Sequence, residues 1–158
     1  MTKSRTWVIV ANSSFAEIYS IEPGRDIHKI RYIDFPDARK RSGEINSERS
    51  GRSHESIGSS RHALGKRVDA HTHEMQIFAH DLAHLVNHEQ TEHAFDKLAL
   101  ICPPHFLGEL RPLLSEAVKK CVYKEINKDL PAALSEQERL DHLCKLLEIK
   151  RPVSSSKA

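Results

Sequence analysis

The chain has 158 residues, 24 lysines and arginines against 22 aspartates and glutamates, and a formal net charge of +2. That length suits one domain, which can bury enough surface to fold without disulfides or metals. So even a balance excludes nucleic-acid binding through bulk charge, and any anion-binding role has to rest on local clusters. The three cysteines, Cys102, Cys121 and Cys144, form no CxxC or CxH pattern and read as reduced thiols, with Cys102 and Cys144 in apolar surroundings. No apolar run is long enough for a signal-peptide core or approaches the roughly 20 residues of a membrane span. The expectation is a cytoplasmic protein without membrane insertion.

In chain order, "TWVIVA" (6–11) is a continuous β-branched run, the pattern of a strand buried on both faces. "NSS" turns the chain into a second strand, "FAEIYSI" (15–21), and "IHKIRYIDF" (27–35) follows as a third after the Pro23-Gly24 break. Three strands in succession predict an antiparallel meander. From Pro36 to Lys66 no periodicity survives, and the segment carries seven serines, four glycines and seven lysines and arginines. It is expected to be a long flexible loop, a length that in a compact domain marks either function or disorder.

Asp69 is then expected to cap a helix over about 70–89, with Met75, Phe78, Ala79, Leu82, Leu85 and Val86 on one face. "FDKLALIC" (95–102) predicts a buried strand, and Pro103-Pro104 opens a short helix through "PHFLGELRPLL". "KKCVYKEI" (119–126) alternates as a last strand. Ser135 and Glu138 stand in capping-box spacing ahead of a helix carrying Leu140, Leu143, Leu146 and Leu147. Residues 151–158 read as a disordered tail. The order βββ–long loop–αβαβα defines an α/β fold, a single domain over 1–150 with helices packed on a mixed sheet.

Chemistry is sparse. His73, His80, His84 and His88 share one helical face, opposite the apolar one, and lack a carboxylate or thiolate at matching spacing. They read as a solvated stripe, with His80 and His84 as surface metal candidates at most. There is no GxSxG elbow, P-loop or GxGxxG, and no cofactor is expected. The loop is richer. "GRS" (51–53) and "GSSRHALGKR" (58–67) set Arg52, Arg61, His62, Lys66 and Arg67 among glycines and serines. Free backbone N–H groups, hydroxyls and guanidinium forks suit phosphate oxygens.

The stretches "TWVIVANSSFAEIYSIE", "GRSHESIGSSRHALGKRVDAHTHEMQIFAHDLAHLV", "LALICPPHFLGELRPLLSEAVKKCVYKEINKDL" and "LSEQERLDHL" resemble the bacterial host attachment protein family over nearly the whole chain. That family is similar to the middle domain of archaeal and eukaryotic peptide-chain release factors, which implies a mixed sheet flanked by helices. In release factors the loop before the main helix carries a Gly-Gly-Gln tip that assists peptidyl-tRNA hydrolysis. This chain has no Gly-Gly-Gln there, and Arg61 and His62 take its place. Asn12 stands where the resemblance implies an aspartate. A factor associated with RNA or the ribosome is therefore expected, any effect on host attachment being indirect. The alternatives are a protein-interaction factor without RNA binding and an RNA or ester hydrolase using His62. The oligomeric state is left open.

Overall fold

The structure is a computed structural model. It describes residues 4–23, 27–35, 60–131 and 133–149, with side chains from residue 72 onward in the first helix. Five strands form one sheet in the order β3-β2-β1-β4-β5: β1 Thr6–Ala11, β2 Phe15–Ile21, β3 His28–Asp34, β4 Lys97–Cys102 and β5 Val122–Asn127. β1 to β3 form the expected antiparallel meander, while β4 and β5 add to β1 in parallel, so the sheet is mixed. The helices are α1 Ser60–Thr91, α2 Pro104–Leu110, α3 Glu116–Cys121 and α4 Glu136–Leu147, with a 3-10 turn at Arg111–Leu113 between α2 and α3. The predicted α/β class, with helices on a mixed sheet, is the fold observed.

Alternation along the central strands separates two cores. Trp7, Ile9, Leu98 and Leu100 face α1, α2 and α3, meeting Phe78, Leu82, Phe106, Leu110 and Val118. Val8, Val10, Ala99 and Ile101 face the other way, onto Leu143, Cys144 and Leu147 of α4. Both β-strand crossovers, through α1 and through α2–α3, thus run over the same face. The parallel strands have no reversal of winding between them, and so lack the crevice in which doubly wound sheets hold ligands.

Several boundaries differ from those expected, most of all the starts of α1 and β5. α1 begins at Ser60, ten residues before the expected start, so Asp69 sits inside the helix rather than capping it. Ala63, Leu64, Lys66 and Arg67 are strong helix formers, and an interior Gly65 costs only about 1 kcal/mol against them. Residues 60–66 are accordingly helix, not loop, while 36–59 and the 151–158 tail lie outside the described residues. The run 119–121 closes α3, whose Ser115 cap accepts from the Val118 N–H at 3.2 Å. β5 therefore starts at Val122.

Candidate functional site

Phe78 fixes how α1 sits on the sheet. Its ring stacks at 4.9 Å on Phe35, which follows β3, and lies 5.8 Å from Phe106, early in α2 after β4. β1, β3 and β4 all run the same way, so Phe78 marks the edge of the sheet where these strands end. The eighteen residues from Ser60 to Phe78 rise about 27 Å. A strand of six or seven residues spans only about 20 Å, so the 32 residues of α1 outrun the sheet.

Of the candidate anion-binding residues, Arg61, His62, Lys66 and Arg67 belong to the first two turns of α1. Arg52 lies outside the described residues. No acidic residue stands in the first turn, so nothing there competes for the partial positive charge of the helix end. His62 and Lys66 hold positions one turn apart, whereas Arg61 and Arg67 are offset around the helix. The expected grouping in a loop is thus replaced by positions spread around a helical cylinder.

Asn12 ties the turn after β1 to the segment after β5. Its Oδ1 accepts from the Ser14 and Phe15 N–H groups at 2.8 and 3.1 Å, and its Nδ2 donates to Asp129 Oδ1 at 3.1 Å. The amide is what makes the second contact possible. An aspartate at position 12 would set two carboxylates against each other.

A charged cluster that the sequence reading missed lies on the α4 face. Glu17 of β2 and Arg139 of α4 are each 3% exposed. Arg139 Nε donates to Glu17 Oε1 at 2.8 Å, Nη2 lies 2.6 Å from the same oxygen, and Nη1 donates to the Pro131 carbonyl. Nη2 makes no hydrogen bond of regular geometry among the described residues. Lys29 bridges Glu17 and Glu136 at 3.1 and 3.2 Å, and the Tyr19 hydroxyl donates to Glu17 at 3.2 Å. Burial lowers the pKa of Lys29 and Arg139, but their bonds to carboxylates outweigh it and both stay above the usual range. Burial, and then the Glu17 charge, push the Tyr19 hydroxyl up. Two sequence signals place members of this cluster on buried faces without pairing them. Glu17 alternates with Phe15 and Tyr19, and Arg139 shares a helical stripe with Leu143 and Leu147. The pair ties β2 to α4.

Other candidates separate clearly. Cys102 is fully buried, and burial pushes its thiol up to about 12, so it is no nucleophile. His73, His80, His84 and His88 are exposed, as the helical wheel predicted. Among the described residues no three metal-ligating side chains converge. A groove of about 500 Å³ lies beside β5, between Arg111, Lys119, Tyr123 and Glu125, with Leu114 and Val122 at its base. Arg111 spans it, donating from Nε and Nη2 to the two Glu125 oxygens at 3.3 and 2.6 Å. None of the residues expected to bind phosphate lines it. No helix among the described residues is long and apolar enough to cross a membrane.

A comparison with curated proteins finds no match. Residues 7–142, however, match a family described as "Protein required for attachment to host cells", which takes in all five strands and most of α4. On that match across most of its length, the chain belongs to the host attachment family.

Proposed function

We propose that the protein is a cytoplasmic RNA- or ribosome-associated binding factor that engages phosphates through the leading turns of α1, with any effect on host attachment indirect. The observation that carries this reading is the overhang of α1. Its C-terminal half is anchored by Phe78, Leu82 and Val86, and its first two turns bring three formal cations and a histidine beyond the sheet without an acid in the first turn. A helix held at one end and basic at the other can approach a nucleic-acid backbone that a flat sheet cannot reach. The resemblance of the sequence to a family akin to the release-factor middle domain points the same way. Without a Gly-Gly-Gln tip, binding rather than hydrolysis is the activity assigned.

Binding of this kind releases condensed counterions. If Arg52, Arg61, Lys66 and Arg67 each neutralise one phosphate of a single strand, log K falls against log salt with a slope of about −2.8. Affinity then drops about fifty-fold between 50 and 200 mM salt, and the double variant Arg61→Ala/Arg67→Ala halves the slope. The test is sedimentation of lysate at low and high salt, followed by titration of the purified protein with ribosomes. Co-migration released by salt and lost in the double variant is expected. Migration wholly at the top of the gradient at low salt would overturn the proposal and favour a protein partner.

A further inference from the structure

We infer that the outer face of α1, away from its basic end, carries a chelating site for one divalent transition-metal ion, formed by His84 with His80 on one side and His88 on the other. Helix positions four apart bring Cβ atoms to about 5–6 Å, and two imidazoles at that spacing can close on one ion at nitrogen–metal distances near 2.0–2.1 Å. All three histidines are exposed, and no hydrogen bond or ion pair holds their rings among the described residues. They form the only histidine pairs at this spacing among the 11 histidines of the chain.

The helix beneath them is fixed from the opposite side, where Phe78, Leu82 and Val86 are at most 1% exposed. Ligand spacing is therefore set before an ion arrives, which lowers the ordering cost of binding. His73 is excluded. It stands seven residues before His80, about 10.5 Å along the axis, and its own partner position is Ile77.

His84 belongs to both pairs, so the two arrangements compete for one ion instead of holding two. With no third histidine, cysteine, aspartate or glutamate converging among the described residues, the remaining coordination positions fall to water or an incoming ligand. An all-imidazole set selects copper, nickel or zinc over magnesium and calcium.

The test is calorimetric titration of tag-free full-length protein with Cu(II), Ni(II), Zn(II) and Mg(II), with circular dichroism confirming that each variant folds. One ion per chain is expected, copper binding more tightly than nickel and magnesium not at all. His84→Ala removes saturable binding. His80→Ala and His88→Ala each weaken it about twofold, because one of two overlapping pairs survives, and His73→Ala leaves it unchanged. No saturation with any of the transition metals at about 1 mM overturns the site. So does affinity that survives His84→Ala, or a stoichiometry of two.

Discussion

The two faces of the sheet are closed by different physics. Between the sheet and α1, α2 and α3 the described residues form a broad apolar core, with the aromatic rings of Phe35, Phe78 and Phe106 in contact. Against α4 the apolar core of the described residues is smaller, beside a cluster in which Glu17, Arg139, Lys29 and Glu136 join strands to helix. Apolar burial is strong but non-directional, and three helices sharing one core fix one another's places. The twelve-residue α4 shares its face with no other helix among the described residues. A directional ion pair to β2 can set its register where hydrocarbon alone would allow it to slide. The comparison predicts that the first face fails by volume and the second by charge.

The largest effect expected is on the first face. Phe78→Ala empties the centre of the aromatic row and should cost about 4 kcal/mol, read as a lower urea midpoint. On the second face, Arg139→Leu leaves Glu17 buried with Lys29 as its one countercharge among the described residues and should cost about 3 kcal/mol. Adding Glu17→Gln, which keeps an acceptor for the Tyr19 hydroxyl, should restore most of that loss. A double variant no more stable than Arg139→Leu alone would show that Arg139 acts through packing, and the contrast between the faces would go.

Alkali tests both faces in sequence. Cys102, Tyr19 and Lys29 all have raised folded pKa values. Each therefore contributes stability that is complete below its unfolded pKa and lost as pH rises toward the folded one. Loss begins near pH 9 with Cys102, on the first face, where a shift to about 12 amounts to roughly 2–3 kcal/mol by pH 11. Tyr19 and Lys29, on the second face, add to the loss only above about pH 10. Cys102→Ala should shrink the early step, leaving the smaller part due to Cys121, whose thiol burial also raises.

How much of this was legible in the sequence follows the same division. Hydrophobic period gives β1 and β2 to the residue and the buried stripe of α1, because these elements answer to apolar burial. The capping box at Ser135 and Glu138 is likewise local chemistry and is present in the fold. The start of α1 was not legible. Glycine and serine around Ser60 read as loop, while helix propensity summed over the following turns prevails. The Glu17–Arg139 pair escaped because its members stand 122 residues apart, and no local pattern joins them. In the sequence the phosphate-binding candidates form a loop cluster, and their arrangement changes because four of the five lie on a helix.

The smallest effect expected separates the faces most directly. The Ser135 hydroxyl accepts from the Glu138 N–H at 3.2 Å, and the Glu138 carboxylate accepts from the Ser135 N–H at 3.0 Å, closing the first turn of α4. Glu136, one residue on, holds Lys29. Ser135→Ala should cost about 1 kcal/mol, and where that cost appears depends on how the molecule opens. If α4 opens as its own unit, amide exchange in α4 accelerates about fivefold while the amides of α1 between Phe78 and Val86 keep their rates. If both accelerate equally, the sheet and its two covers open together. The charge cluster would then be part of one cooperative core, and the division into two independently failing faces would not hold.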